Sequence, residues 1–424
     1  MRLTVRFLSS KLAVRACTLG VALLGATLQP ATASANDTDI QLVSFPETIA
    51  DELLDSVTSP LDADAVFSGS SNWVSPPEHS HDGHHSHDGH HSSRRGLADK
   101  HLPAGLMGGH LHKQGEWMVE YKYMNMYMED NKIGSHSISD AASMGMPAPP
   151  PPPGLTVDGV RTNAGATPTD MTMEMHMVHL MYGLNDDVSI YTMLMFPSLT
   201  MDHIRGFGNM AGGGPGSSFT THNSGFGDTS FGALVKLFQD EDDDLLLNLG
   251  FSVPTGDIYR TSTAPTAGGA ALPLPYPMRR GSGTFNARPG VTWRHYAETG
   301  SFGAQFQTDI PIGRNYRGYS VSDTFQLNFW YSHLVTENIA LSVRLENLWK
   351  TNYDGADPAT PDLLISTNVE AFRGGYSLNL GLGVTALLGG HLFSAEFVPT
   401  LYQDLNGIQL ETDWSLVTSW SKSF

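Results

Sequence analysis

The sequence holds a single cysteine in 424 residues, Cys17, in the context Val14-Arg15-Ala16-Cys17. That context lacks the small-residue box of a lipoprotein, and a lone thiol excludes intrachain disulfides and thiolate-based metal centres. Basic charge is scarce as well, with 24 Lys and Arg against 43 Asp and Glu and a formal net charge of −19. Nucleic acid and anionic lipid headgroups are poor partners for such a chain. Long apolar runs are also missing. A helix needs roughly 20 apolar residues to cross a bilayer core, and Leu19 to Leu28 falls well short of that. A helical membrane protein is excluded.

What is present begins with Arg2, Arg6, Lys11 and Arg15, then that apolar run, then Ala33-Ser34-Ala35, the order of a secretory signal. Cleavage is expected after Ala35. It would remove Cys17 and four basic residues, leaving 20 against 43 acids and moving the formal charge from −19 to −23. Residues 36–100 are acidic and rich in Ser, Pro and His, with room for one short helix over Glu47 to Val57. They read as a disordered periplasmic segment. The expected organisation is a signal peptide at 1–35, that segment at 36–100 and a β-barrel over 101–424.

From Trp117 onward the chain alternates with period two, which is the pattern of strands with one apolar and one polar face. Leu245, Leu247, Leu249, Phe251 and Val253 alternate with Asn248, Gly250 and Ser252; Leu378, Leu380, Leu382 and Val384 alternate with Asn379, Gly381 and Gly383. The fold class expected is all-β, a transmembrane antiparallel up-and-down barrel of about 12 strands. A soluble sandwich would alternate too. Strands are expected near 116–129, 171–182, 187–196, 227–238, 245–254, 287–297, 301–311, 323–335, 338–349, 375–387, 391–403 and 410–424. Short turns and long loops alternate between them, so both ends of the barrel chain should face the periplasm of a Gram-negative cell. The strand ending in Phe424 resembles the outer-membrane insertion signal, which implies the barrel assembly machinery and outer-membrane lipid as partners.

The same alternation aims Glu120, Lys122, Asp309, Arg344, Glu346, Glu396 and Asp413 at the lumen, giving an acidic, polar bore that would set solute selectivity. Methionine is concentrated: all but one of those after Met1 fall between Met107 and Met210. Met118, Met124, Met126 and Met128 share the face of Glu120 and Lys122 and are expected in the lumen. Met171, Met173, Met175, Met177 and Met181 lie opposite Glu174 and His176, so that row is expected toward lipid. Thioether and imidazole donors favour copper, although methionine also serves as plain packing. No cofactor is required. The metal candidates, for copper or another divalent transition metal, are the tract His79, His81, His84, His85, His87, His90 and His91, the pair His110 and His112, and the lumen residues Met124, Met126 and Met128.

For catalysis, His222-Asn223-Ser224 has the His-x-Ser spacing of outer-membrane phospholipase A, but it sits in a glycine-rich loop where such residues are ordinary. No phosphate loop, paired-carboxylate site or HExxH helix is present, and no enzyme is expected.

The segments Met107-Gly108-Gly109-His110-Leu111-His112-Lys113-Gln114-Gly115-Glu116-Trp117-Met118, Ser224-Gly225-Phe226-Gly227-Asp228 and Pro254-Thr255-Gly256-Asp257 resemble those of transporter-like barrels grouped with the meta-pathway phenol-degradation proteins. The resemblance covers about 101–424. It implies passage of small, including aromatic, solutes through a porin-like transporter. The Met/His-rich front end also resembles copper-resistance protein B, without that family's repeated Met-x-x-Met blocks. That second resemblance implies, as the alternative, an outer-membrane protein that binds copper or confers resistance to it.

Overall fold

The computed structural model describes residues 101–144, 165–206, 216–263, 271–360 and 365–424. The expected signal peptide, the 36–100 segment and the His79 to His91 tract lie outside the described residues. Within them the chain is all β apart from a four-residue helix, α1 (Asp140–Ser143), and three short 3-10 turns.

The wall is built from β1 (Trp117–Gly134), β3 (Ala166–Asn185), β4 (Val188–Arg205), β6 (Thr229–Gln239), β7 (Asp243–Val253), β10 (Asn286–Ala297), β11 (Gly300–Pro311), β13 (Thr324–Thr336), β14 (Ile339–Lys350), β16 (Gly375–Leu388) and β17 (His391–Ser423). Each pairs antiparallel with the next, and β17 closes the ring on β1. The short β2 (His136–Ile138) and β5 (Ser218–Ser224) extend β1 and β4 beyond the ring.

Eleven strands cannot close a ring in which every neighbour is antiparallel, because direction alternates and the last would run parallel to the first. The 33-residue β17 resolves the parity. Residues up to Leu405 pair with β16, and residues from Gln409 onward pair with β1. Between them Gly407 takes φ +79°, a conformation open to glycine at little cost. Gln403 and Thr412 then face each other, with Gln403 Nε2 donating to the Thr412 carbonyl at 2.6 Å and Thr412 N donating to Gln403 Oε1 at 3.1 Å. An unbroken strand would hold residues nine apart about 30 Å from each other. The wall therefore has twelve staves, near the twelve ranges read from the sequence.

The faces are inverted relative to a soluble domain. Leu249 and Leu382, each 51% exposed, point outward with Phe251, Phe302, Phe306, Leu341, Val343 and Val384. Arg344 at 2% and Gln305 at 1% point inward with Asn248, Ser252, Asn328 and Glu396. A sandwich buries its apolar face. Here the apolar face is the outside, as an outer-membrane barrel requires.

Short turns follow β3, β6, β10, β13 and β16, and Trp117 pairs with Phe424 at that same end. The longer connections gather at the other. Two of them, 312–323 and 351–374, are joined by β12 (Tyr319–Ser320) pairing with β15 (Asp354–Gly355), and 254–285 is tied to the latter through Arg279 and Asp357.

Two expectations about faces are corrected. The β3 methionines do not face lipid: Met171 pairs with Met128, Met173 with Met126, Met175 with Met124 and Met181 with Met118, so both rows line the lumen. Glu174 and His176 are the outward residues. Each is held by a tyrosine of β1, Tyr123 Oη donating to Glu174 Oε1 at 2.8 Å and Tyr121 Oη lying 2.6 Å from His176 Nδ1. Charge set the wrong face because those hydrogen bonds let a carboxylate and an imidazole sit on the outer wall. Asp413 does not line the lumen either. The register slips between Tyr127 paired with Trp414 and Met128 paired with Thr412, which leaves Asp413 in a bulge and exposed.

Candidate functional site

The lumen is closed by two different structures with a chamber between them. The inner closure is the segment 101–116, which precedes β1 and lies inside the barrel instead of forming wall. The Leu106 carbonyl accepts from Lys122 Nζ at 3.1 Å, and the Met107 carbonyl accepts from Gln305 Nε2 at 2.9 Å and Gln307 Nε2 at 3.1 Å. Thr385 Oγ1 donates to the Leu102 carbonyl at 3.3 Å, and His112 N donates to Ser189 Oγ at 2.9 Å. The anchor is Gly105, whose N–H donates to Glu396 Oε2 at 2.5 Å. A Cβ there would sit 2.2 Å from an Arg344 guanidinium nitrogen, so only glycine brings the segment this close. Nothing in the sequence marks this closure, since 101–116 lacks strand alternation and these partners are scattered over five strands, β1, β4, β11, β16 and β17.

Arg344 organises the wall beneath that anchor. Its Nε donates to Glu396 Oε1 at 2.8 Å and its Nη1 to Asn328 Oδ1 at 2.8 Å, and it also pairs with Glu346. Glu346 further accepts from Gln326 and Asn379. Nearer the short-turn end, Glu120 pairs with Lys122 at 3.5 Å and with His179 at 3.3 Å. Of the lumen residues expected from sequence, Glu120, Lys122, Arg344, Glu346 and Glu396 thus form two ion-pair groups, and Asp309 lies in the chamber bonded to Asn286 and Arg288.

The outer closure is charge-latched. Arg279 lies 4.6 Å from the Tyr276 ring centroid and 5.1 Å from that of Tyr319, and donates to Asp357 at 2.9 Å and Thr360 at 2.6 Å. Arg317 reaches Asp357 from the next loop, and Tyr276 Oη donates to Glu370 at 2.7 Å. Burial pushes the Asp357 carboxyl up, but the Arg317 hydrogen bond, the Ala359 N–H and the Arg279 charge together hold it below the ordinary carboxylate range.

The chamber has a volume of about 520 Å³. One side is the methionine wall, represented by Met126, Met128, Met171, Met173, Met195 and Met201. Other parts of the lining carry Arg279, Arg280, Arg288, Lys350 and Arg373 against Asp228, Asp309 and Glu346. The bore was expected to be acidic. At the chamber it is not, because the acids there are outnumbered by bases, and Asp309 and Glu346 are paired with Arg288 and Arg344.

The metal candidates are separated. His110 Nε2 lies 3.3 Å from Met118 Sδ, and the His110 and His112 rings are 5.0 Å apart. His112 also faces Glu116 at 3.5 Å. Met124, Met126 and Met128 lie on the lumen face of β1, the last two at the chamber. Among the described residues no group of three or more His, Cys, Asp or Glu could hold a metal ion. His222 Nδ1 lies 3.0 Å from Thr200 Oγ1, and no hydrogen bond joins it to Ser224 among the described residues.

Residues 158–401 match the family described as the MetA pathway of phenol degradation, a span of more than half the sequence. The chain belongs to that family. The family's Gly-Asp and Pro-Thr-Gly segments meet at the outer rim: Asp228 accepts from Gly256 N at 2.9 Å and from Ser282 N and Oγ at 2.8 Å each. Asp257 takes Arg280 at 3.0 Å. In this family member, then, the short motifs fold loop 254–285 inward over the chamber.

Among solved structures, an outer membrane channel from Pseudomonas putida F1 is similar at 11% identity and a TM-score of 0.50, covering 76% of this chain and 99% of that one. A FadL homologue from Pseudomonas aeruginosa is 13% identical over 73% of this chain and 89% of its own, with a TM-score of 0.32. No curated protein matches. The likeness to copper-resistance protein B gains no support from these matches.

Proposed function

We propose that this barrel is an outer-membrane channel for small solutes of apolar, including aromatic, character, which occupy the chamber and pass when the inner segment shifts. The observation behind this reading is the chamber itself. A volume of about 520 Å³ is in the range of small-ligand sites, roughly 300–1,000 Å³, and it lies inside a polar bore between two closures made of loop and not of wall. Rearranging hydrogen bonds of 101–116 would open it without disturbing the sheet.

The test is planar-bilayer conductance of the protein from residue 36 onward, beside a form lacking 102–111. The first should stay mostly closed and the second should conduct steadily. Silence from both across ordinary salts would refute the channel.

A second reading, binding of soft metal ions, has one observation in its favour: the in-register thioethers of β1, β3 and β4. Exchanging Met124, Met126 and Met128 for Leu nearly conserves volume. It should lower retained Cu(I), measured by mass spectrometry, only if those sulfurs are ligands.

A further inference from the structure

Lys350 and Arg373 line one chamber and carry like charge. Lys350 is the last residue of β14 and shares the lumen face with Glu346 and Leu348, while Arg373 closes the following loop. The two are near enough to repel. Among the described residues neither meets a carboxylate. Arg373 donates to the Thr367 carbonyl at 3.3 Å and to Gln409 Oε1 at 3.1 Å, both neutral acceptors. Glu346 is the acid that faces Lys350, and it is already held by Arg344, Gln326 and Asn379. Elsewhere in the lining the cations are matched: Arg279 by Asp357, Arg280 by Asp257 and Arg288 by Asp309.

Two cations with no carboxylate partner among the described residues give this part of the chamber a positive potential, which favours an incoming anion. The same chamber offers the six lining methionines, whose flexible thioethers pack against apolar bodies of varied shape and make favourable contacts with aromatic rings. We infer that the chamber selects small organic anions with an apolar, preferably aromatic, body, the carboxylate set on Lys350 and Arg373 and the body on the methionine wall. This rests on the channel reading for its biological setting but makes a separate claim about equilibrium binding.

Benzoate and its neutral counterpart benzamide are the probes, with binding to the detergent-solubilised protein followed by calorimetry. Benzoate should bind about tenfold or more tightly than benzamide, the scale of a charge-assisted hydrogen bond. Lys350→Met with Arg373→Met should abolish that preference while leaving benzamide binding in place. Phosphate should compete weakly, because it lacks the body. Equal affinity of the wild-type protein for the two probes would overturn the proposal without any variant being needed, as would an unchanged preference in a folded double variant. Transport distinguishes the two claims: a chamber that binds benzoate in a barrel that never conducts would sink the channel reading alone, whereas conduction with no acid-over-amide preference would sink this one alone.

Discussion

The two closures of the barrel are held by different chemistry. The inner segment is held chiefly by backbone groups meeting neutral or singly charged lumen side chains, Leu106 with Lys122, Met107 with Gln305 and Gln307, Gly105 with Glu396. The outer loops are held by charge, with two guanidinium groups converging on Asp357. The inner closure depends on fit and the outer one on ionisation, so the two should fail under different perturbations.

Fit is the easier to break. Gly105→Leu should drive the segment out of the lumen, since even a Cβ would lie 2.2 Å from Arg344. Single-channel recording should then show a continuously conducting barrel, and a closed one would mean that 101–116 does not set conductance.

The next effect is on pH. His110 is in the inner segment, and burial first, then the charges of His112 and Arg294, lower its pKa from the ordinary imidazole value of 6.5 to about 3. A docked segment holds this imidazole neutral, whereas a released one would protonate near 6.5. Docking is therefore fully favourable above about pH 6.5 and is progressively weakened as pH falls below it, by up to about tenfold per unit. Open probability should rise between pH 6.5 and 4.5, and His110→Asn should flatten the profile.

The outer latch should respond later. Asp357 has a depressed pKa, so its contribution is complete above the unfolded carboxylate value of about 3.9 and is lost as pH falls through the still lower folded value. Asp357→Asn should loosen loop 351–374 at neutral pH by roughly 1–3 kcal/mol, the cost of an unsatisfied buried donor. Limited proteolysis would read this as faster cleavage in that loop. If His110 and Asp357 were to act in one pH window, the distinction between the closures would collapse.

The smallest effect separates buried from exposed latches. Arg314 pairs with Asp354 at 2.8 Å on the same rim, but both side chains are more than half exposed. Asp354→Asn should leave loop proteolysis and conductance unchanged, because solvent and salt screen such a pair.

Most of the wall was legible in the sequence because every lipid-facing position must be apolar, so period two survives along β7, β11, β14 and β16. Legibility failed wherever that requirement lapsed. On β3 both faces carry residues that packing and hydrogen bonding satisfy equally, and the pairing with β1 decided what hydrophobicity could not. Asp413 was misplaced by one bulge, which the sequence does not mark. The ion pairs around Arg344 could be expected as lumen charges but not as partners, because Glu396 lies 52 positions away. The latch at Asp357 and the placing of Arg373 beside Lys350 come from loops, where no periodicity constrains the reading.

The contact between Gly105 and Glu396 joins residues 291 positions apart. In kinetic terms it is among the last that the chain can make, since nearly the whole wall must exist before its acceptor is in place. Glu396 belongs to the stave that pairs with β16, next to the seam where β17 meets β1. A segment entering from the short-turn end must therefore either wait for the ring to close and thread it or be enclosed as the ring zips shut. In the second case the rate of seam closure would fall with any substitution that slows docking, and Gly105→Leu would delay assembly as well as open the pore.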